Sequence, residues 1–245
     1  MSKIIVITGA AVGLGRALAR RFVSEGEQVV LLGRTFAKVL ATAEELGERA
    51  TAIECDVSKP DSVRHAFSEL AKKHPKIDVL INNAAVYEPF LVADASDDQI
   101  TQILMTNLGG AIHCARSAIP LLQRGGHIIN VSSESIDIPF PHLVVYQSSK
   151  AGLERFSSGL SRELEPQGIR VSTVRAGMMY EQGKVFKADP EALKRFHLAA
   201  VEAGLDPRKR PISQFTSATQ MFRALLDLPE DLSAVSLTLQ ARARG

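Results

Sequence analysis

The stretch "VITGAAVGLGRALARRF", residues 6–22, decides the fold of this chain. Its first residues are apolar and β-branched, as in a buried strand, and its second half has the apolar spacing of a helix. Between the two lie Gly9, Gly13 and Gly15. Glycines permit a tight turn, and the free N–H groups at a helix N-terminus favour a phosphate. The stretch therefore predicts a strand, a phosphate-binding loop and a helix, the opening unit of a dinucleotide-binding fold.

The remainder of the chain repeats the alternation of strand and helix. Because the strand-like runs are nearly all apolar, both faces of their sheet should be covered by helices. We therefore predict an α/β fold with one doubly wound parallel sheet (a Rossmann fold) in a single domain, residues 1–245. The strand-like runs are 3–7, 28–32, 51–55, 77–81, 126–131, 169–174 and 234–239, and the helical runs are 14–25, 36–46, 61–73, 97–122 and 146–164.

Composition argues against several classes of function. The net charge is +2, with both signs interleaved, so we expect neither nucleic acid nor an anionic membrane as a partner. There is no apolar run of 18 residues and no signal-peptide pattern at the start, and we expect a cytoplasmic protein. Cys55 and Cys114 are expected to be buried free thiols, and their spacing predicts no metal site.

Five ordered motifs in residues 8–150 resemble the short-chain dehydrogenase/reductase family in its compact single-domain form. They are "TGAAVGLG" (8–15), "CDVS" (55–58), "NNAA" (82–85), the run from Asn107, and "INVSSES" (129–135) with Tyr146 thirteen residues after Ser133. The resemblance implies a dinucleotide-dependent oxidoreductase. It weakens after residue 175.

The residues also make a physical case for a catalytic group. Tyr146 and Lys150 are four positions apart, so on a helix they share one face. A nearby ammonium should lower the pKa of a tyrosine, which could then exchange a proton with a carbonyl oxygen, and a serine hydroxyl could stabilise the charge on that oxygen. By the resemblance, Ser133 is that serine, Lys150 also holds the nicotinamide ribose, and Asn107 holds a water. Alternatives are Ser132 or Ser135 as the working hydroxyl and Asn107 as a helix-start residue only.

The resemblance also implies which residues contact the cofactor. Asp56 should hydrogen-bond the adenine, and Tyr146 and Lys150 should meet the nicotinamide end. The predicted cofactor-binding residues are Gly9, Val12, Gly13, Leu14, Gly15, Arg34, Asp56, Val57, Asn83, Ala84, Ala85, Tyr146, Lys150, Gly177 and Met179.

Arg34 favours NADP(H) over NAD(H). An NAD enzyme usually has Asp or Glu after the second strand, whereas this chain has Gly33 and then Arg34. A guanidinium can bind the 2′-phosphate. Many family members add a basic residue before the middle loop glycine, but Val12 occupies that position. The alternative is that Arg34 is a solvated residue at a helix start.

The resemblance fails after the sixth strand. Ala176 replaces a Pro, and Glu181 stands where a Thr should meet the cofactor. A carboxylate beside the pyrophosphate would be repelled, so Glu181 should point away. We expect residues 178–212 to form a substrate lid that is open or mobile without substrate. Its apolar residues, offered to substrate or to the core, are Met178, Met179, Val185, Phe186 and Phe196.

The expected function is hydride transfer between NADP(H) and a ketone or secondary alcohol, with Tyr146 as the acid and base. One alternative is a non-catalytic dinucleotide sensor or scaffold. Another is an epimerase or dehydratase, disfavoured by the loop spacing and by the lack of a large C-terminal substrate domain. We also expect a homodimer or homotetramer formed by the helices near 107–122 and 146–164. The residues expected to be exposed for it are Ala111, Ala115, Ala118, Ala151, Phe156 and Leu160.

Overall fold

The computed structural model describes residues 2–181 and 189–243, and in this part of the chain the strands form one large and one small parallel sheet. In chain order they are β1 Ile4–Thr8, β2 Gln28–Gly33, β3 Ala50–Glu54, β4 Ile77–Asn82, β5 Leu122–Ser133, β6 Arg170–Ala176, β7 Met179–Tyr180, β8 Ser213–Gln214 and β9 Ser236–Leu239. The large sheet has the order β3-β2-β1-β4-β5-β6-β9, and all its pairs are parallel. The small sheet pairs β7 with β8. The predicted doubly wound sheet is confirmed.

Helices cover both faces of the large sheet. They are α1 Gly13–Ser24, α2 Phe36–Leu46, α3 Pro60–Lys73, α4 Asp97–Leu104, α5 Gly110–Ala118, α6 Val144–Leu164, α7 Pro190–Glu202 and α8 Phe215–Leu226. One hydrophobic core joins the sheet to α1, α2 and α8, and a second joins the opposite face to α3, α5 and α6. Because both faces are buried, the strands are nearly all apolar, which is the pattern that the sequence shows.

The order of the strands places a crevice at the carboxyl ends of β1 and β4. The chain continues from β1 to β2 on one side, whereas β4, β5 and β6 lie on the other. Connections at such a reversal diverge, and ligands of doubly wound sheets bind in the gap between them. The fold therefore positions the loop after β1 and the loop after β4 at the same site.

Several helix ends are formed by residues that are close together in the sequence. Ser96 and Gln99 form the capping box at the start of α4. Pro60 is the first residue of α3. Gly168 ends the turn after α6 with φ +68°, a left-handed conformation that glycine adopts without strain.

The helices predicted over 97–122 are present, but they are joined by a turn that the sequence did not indicate. The structure has α4, then one π-helical turn over Met105–Gly109, then α5 and a short 3₁₀ turn before β5 begins at Leu122. Helical periodicity is nearly the same for α and π turns, so the sequence did not reveal this insertion. π turns often occur at functional sites, and Asn107 lies within this one.

The expected exposure of the assembly helices is only partly correct. Within the protomer, Ala111, Ala115, Ala118 and Leu160 are buried in the core, whereas Ala151 is exposed. Ala115, Ala118 and Leu160 belong to the core against the sheet, and Phe156 is half-buried against the same core. Among the described residues, no helix combines the length and the apolar character needed to cross a bilayer.

Candidate active site

The loop after β1 has the tight geometry that its glycines allow. Gly9 has φ +66°, and a Cβ there would lie 2.9 Å from the Cα of Ala84. A Cβ on Gly15 would lie 2.4 Å from the carbonyl oxygen of Gly9, closer than real Cβ contacts come. The loop therefore folds back against the start of α1 and against the loop after β4, and side chains at these two positions would prevent it.

Side chains near the ends of β1 and β4 hold these two loops together. The Oγ1 of Thr8 accepts hydrogen bonds from the backbone N–H groups of Asn83 and Ala84, both at 3.0 Å. The side-chain amide of Asn83 donates to the carbonyl oxygen of Thr8 at 3.0 Å and to that of Gly9 at 3.3 Å. The "NNAA" motif thus fixes the shape of the glycine loop from the neighbouring strand.

One cavity of about 870 Å³ runs along the carboxyl edge of the sheet. It brings together most of the residues that the sequence predicts for the cofactor. Those that line it are Gly9, Val12, Leu14, Arg34, Asp56, Val57, Asn83, Ala84, Ala85, Tyr146, Lys150, Gly177 and Met179. Gly13 and Gly15 are not among the lining residues. Gly15 packs against Gly9, and the Cβ position of Gly13 faces the ring of Phe215 at 3.5 Å.

The end of the cavity beside β2 is exposed and basic. Arg34 follows β2 directly, and Thr35 precedes the first turn of α2. Lys38, one helical turn after Arg34, lines the same part of the cavity, and both side chains are exposed. Sequence reasoning missed Lys38, although a basic residue four positions after Arg34 was a usable signal.

Asp56 lies at this end, where its side chain orders the loop after β3. Its Oδ1 accepts hydrogen bonds from the Oγ of Ser58 at 2.7 Å and from the backbone N–H of Ser58 at 3.1 Å. The neighbouring Cys55 is a free thiol that contacts the thiol of Cys114, and both are buried, as predicted. The carboxylate is therefore held by its own loop at the wall of the cavity.

The other end of the cavity holds the predicted catalytic group. Tyr146 and Lys150 lie on the first two turns of α6, and Ser133 is the last residue of β5. The hydroxyls of Ser133 and Tyr146 are hydrogen-bonded. Ser133 also contacts the Oγ of Ser135 at 2.9 Å, whereas the hydroxyl of Ser132 is directed to the backbone of Lys150. Ser133 is the serine that influences the pKa of Tyr146, and its hydroxyl also contacts Ser135.

Burial controls the protonation of this group. It raises the pKa of the Tyr146 hydroxyl above its ordinary value, and the hydrogen bond from Ser133 opposes the rise. The Nζ of Lys150, a residue only 2 % exposed, donates to the carbonyl oxygen of Val131 at 2.8 Å, and burial lowers the pKa of this ammonium to about 8. The sequence predicted a Tyr146 pKa lowered by Lys150, but desolvation is the larger effect in this structure.

Asn107 lies behind the cavity, in the π-helical turn, and is 1 % exposed. Its side-chain amide donates to the carbonyl oxygen of Val86 at 2.9 Å, and its Oδ1 accepts from the N–H of Val86 at 2.8 Å. It also donates to Ser149, whose hydroxyl donates to the backbone oxygen of Tyr146 at 2.6 Å. Asn107 therefore links the loop after β4 to the first turn of α6.

Three aromatic side chains line the cavity beside this catalytic group, and we call Tyr87, Phe140 and Phe196 the aromatic wall. The rings of Tyr87 and Tyr146 meet edge to face, with centroids 5.2 Å apart. Burial raises the pKa of Tyr87 well above its usual range. The sequence indicated Phe196 as a lid residue but missed Tyr87 and Phe140, because nothing local to either residue distinguishes a cavity wall from the core.

Glu181 does not face the cofactor loop as an isolated charge. Its carboxylate forms an ion pair with Arg16, the residue that follows Gly15 on α1. Part of the predicted lid, including Val185 and Phe186, lies outside the described residues. Of the remainder, Met178, Met179, Leu193 and Ile212 line the cavity.

The residues of the cavity fit a dinucleotide. The glycine loop brings backbone close to the N-terminus of α1, the exposed basic end matches a phosphate, and the buried end offers hydroxyls and an ammonium. Such a sequence of environments along one crevice suits a long ligand with charge at one end and a reacting ring at the other.

Comparison with known proteins agrees with this geometry. Residues 3–189 match the family model described as short chain dehydrogenase. The chain is 35 % identical over 177 residues to a 3β-hydroxysteroid dehydrogenase of Mediterraneibacter gnavus, a match over 70 % of this chain and 64 % of that protein. It is 29 % identical over 232 residues to carbonyl reductase family member 4 of Danio rerio, a match over 94 % of this chain and 92 % of that protein.

A solved structure has the same fold at lower identity. L-sorbose reductase from Gluconobacter frateurii, complexed with NADPH and L-sorbose, superposes with a TM-score of 0.83 at 23 % identity, covering 98 % of this chain and 95 % of that one. The fold, the glycine loop and the family match over most of the length lead to one conclusion. This chain belongs to the short-chain dehydrogenase family of oxidoreductases.

Proposed function

We propose that this protein reduces a ketone with NADPH, or oxidises the corresponding secondary alcohol with NADP⁺, and that Tyr146 is the acid and base. One observation carries the proposal. A single cavity joins the half-buried Tyr146 and Ser133 and the buried Lys150 to an exposed basic end at Arg34 and Lys38. A protein that only bound a dinucleotide would have no need of a hydrogen-bonded Tyr–Ser pair at the far end.

When bound, the cofactor supplies the hydride that the carbonyl carbon accepts. The protein supplies the proton. A tyrosine hydroxyl ordinarily carries its proton at neutral pH, and burial raises the pKa of Tyr146 further, so the hydroxyl can donate to a carbonyl oxygen as negative charge develops there. Ser133 is hydrogen-bonded to the same hydroxyl and can donate to the same substrate oxygen.

Lys150 supplies positive charge beside the group. Its pKa of about 8 keeps it mostly protonated at neutral pH, so the ammonium can stabilise a phenolate left on Tyr146 after proton transfer. Its hydrogen bond to Val131 fixes the side chain in the interior. The ammonium is thus held near the reacting atoms at a cost in desolvation, an arrangement that is common at active sites.

The basic end supports NADP(H) as the cofactor. Arg34 offers the cavity an exposed guanidinium, a group that binds phosphate well, and Lys38 adds a second charge from the first turn of α2. The described first turn of α2 contains no acidic residue that would oppose an anion. Two cations and a helix N-terminus together favour the phosphorylated dinucleotide.

The test is a screen of ketones for substrate-dependent oxidation of NADPH by the purified protein, with NADH in parallel and Tyr146→Phe as the control. We expect turnover with NADPH that the variant lacks. Tight binding of NADPH with no turnover of any carbonyl compound would favour the alternative, a dinucleotide sensor. Turnover with NADH alone would contradict the cofactor assignment.

A further inference from the structure

The aromatic wall is built from three separate parts of the chain that meet beside Tyr146. Tyr87 follows β4, Phe140 precedes α6, and Phe196 lies on α7. The rings of Phe140 and Phe196 are 6.0 Å apart and tilted by 59°, and Tyr87 packs against the same cluster. The wall therefore offers a continuous aromatic surface next to the hydroxyl that we assign as the proton donor.

The wall is held in place before any substrate arrives. On one side of Tyr87, the backbone of Val86 is bound twice by Asn107. On the other side, Glu88 accepts a hydrogen bond from Gln99 at 2.7 Å. The backbone N–H of Phe90 also donates to the carbonyl oxygen of His142 at 2.9 Å, which ties this loop to the segment that carries Phe140. A preformed surface costs little conformational entropy on binding.

Two charged groups beside the wall, Glu134 and Arg210, are paired with each other. Glu134, the neighbour of Ser133, is 9 % exposed and accepts a hydrogen bond from Arg210 at 2.9 Å. The guanidinium of Arg210 lies 5.6 Å from the centre of the Phe140 ring. An anionic group on a substrate would therefore meet a carboxylate next to Ser133, and the cation that might have attracted it is already neutralised.

Building on the proposed function, we propose that the substrate is a neutral ketone whose carbonyl carries an apolar ring, and that Tyr87 determines this specificity. The ring packs on the aromatic wall while the carbonyl oxygen meets Tyr146 and Ser133. Aromatic side chains bury a large area and prefer edge-to-face or offset contact with a second ring. Tyr87 is the member of the wall in contact with the proton donor, so it sets where the ring lies relative to the reacting oxygen.

Binding tests the proposal independently of turnover. We would measure dissociation constants of 4-phenyl-2-butanol and 2-butanol for the complex of the protein with NADPH, by calorimetry, because NADPH cannot accept a hydride from an alcohol and no turnover occurs. The two alcohols differ only in the apolar ring, and we expect at least tenfold tighter binding of the first. Tyr87→Phe should keep this ratio and Tyr87→Ala should lose most of it. Tyr180→Ala is the matched control, since Tyr180 also lines the cavity but lies outside the wall.

Equal affinity for the two alcohols, or an unchanged ratio in Tyr87→Ala, would overturn the proposal. Tyr87→Ala should unfold at a lower temperature than the wild type because it loses packing, but its NADPH dissociation constant should match that of the wild type. If this variant does not fold, Tyr87→Leu replaces it, because leucine keeps apolar volume but removes the ring. If binding is selective for the ring but no ketone oxidises NADPH, the proposed function is contradicted, whereas the proposed role of the aromatic wall in binding is supported.

Turnover tests the charge preference. Benzoylformate and its methyl ester carry the same ring and ketone, and we expect kcat/KM to be at least tenfold higher for the ester. Glu134→Gln removes the carboxylate that opposes an anion, so it should reduce the preference for the ester. A wild type that prefers benzoylformate would show that the substrate is an acid and would contradict a neutral one.

Discussion

Both ends of the cavity carry basic side chains, but these side chains differ in their exposure to solvent. At the β2 end, Arg34 and Lys38 are exposed cations with ordinary freedom to move. At the α6 end, Lys150 is a buried cation fixed by the carbonyl of Val131. We propose that the first end binds a charged group of the ligand, whereas burial at the second end shifts the pKa values of its own side chains.

Because of this difference in exposure, residue identity alone predicts the charge state of side chains at one end of the cavity but not at the other. An exposed guanidinium keeps its charge whatever surrounds it, so its preference for a phosphate can be inferred from sequence. A buried ammonium or phenol takes its pKa from its surroundings. Burial raises the pKa of Tyr146 and lowers that of Lys150, so chemistry at this end depends on packing that the motif does not describe.

The largest expected effect comes from a variant that changes only the buried end of the cavity. Tyr146→Phe removes the proton donor but keeps the ring that packs against Tyr87. We expect turnover to fall by about 10²–10⁴-fold, the usual contribution of a positioned acid or base. NADPH affinity should change little. Steady-state kinetics and a fluorescence titration measure the two quantities, and near-normal turnover in the variant would remove Tyr146 from the mechanism.

The second prediction concerns the cost of burying Lys150. Its folded pKa of about 8 lies below its unfolded value, so between these values the unfolded chain binds the proton that the folded protein has released. The free energy of unfolding of the cofactor-free protein therefore gains a contribution as pH rises from 8. Up to pH 9.5 this gain is about 2 kcal/mol.

Lys150→Met is the control, since it lacks the titrating group but keeps the rest of the site. Cys114 and the buried tyrosines also titrate above pH 8, and subtracting the variant from the wild type cancels their contributions. Denaturant unfolding of both proteins at pH 8 and pH 9.5 gives the difference. A difference that does not change with pH would mean that Lys150 is not desolvated as the structure indicates.

The third prediction concerns variants at the exposed end of the cavity. Arg34→Ala should weaken NADPH binding by ~1.5–3 kcal/mol, the range for hydrogen bonds to charged groups, and leave NADH binding nearly unchanged. Lys38→Ala should have the same direction and a smaller effect, because lysine binds phosphate only as a point charge. Dissociation constants for both cofactors test this. Lys72→Ala, the control, removes an exposed charge from α3 and should change the affinity for neither cofactor. Equal losses of affinity for NADPH and NADH in Arg34→Ala would mean that the 2′-phosphate binds elsewhere.

The smallest effect concerns the ion pair of Glu181 with Arg16. Both side chains are about one-fifth exposed, and partly exposed pairs contribute ~0–1 kcal/mol. Glu181→Thr and Glu181→Gln remove a negative charge close to the glycine loop, so each should tighten NADPH binding by a few-fold. Arg16→Gln leaves Glu181 unneutralised and should weaken it. If all three variants bind NADPH like the wild type, the pair is too far from the phosphates to matter.

The fold and half of the site could be predicted because their signals are local. The strand at 4–8, the glycine loop and the spacing of Tyr146 and Lys150 each occupy a short stretch with a strict physical requirement. The predicted Tyr146, Lys150 and Ser133 do meet in one cavity. Their positions depend on the ends of β5 and α6, which the apolar patterns locate to within a few residues.

The features of the site that the sequence did not predict depend on contacts between distant segments of the chain. Tyr87 and Phe140 become a cavity wall only because α7 brings Phe196 to them. The ion pair between Arg16 and Glu181 joins residues 165 positions apart, and the π turn around Asn107 has no periodicity of its own. The raised pKa of Tyr146 follows from burial by all of these neighbours, which no single stretch of sequence records.

We propose that the exposed end of the cavity, at Arg34, selects the cofactor and that the buried end, at Tyr146, performs the proton transfer. The most direct test is single-turnover oxidation of NADPH by a reducible ketone, measured at saturating NADPH in the wild type, Tyr146→Phe, Arg34→Ala and the double variant. We predict that Tyr146→Phe lowers the rate without changing NADPH affinity, that Arg34→Ala lowers affinity without changing the saturated rate, and that the two effects add independently in the double variant. A saturated rate that falls with Arg34→Ala, or survives Tyr146→Phe, would contradict the division between the two ends.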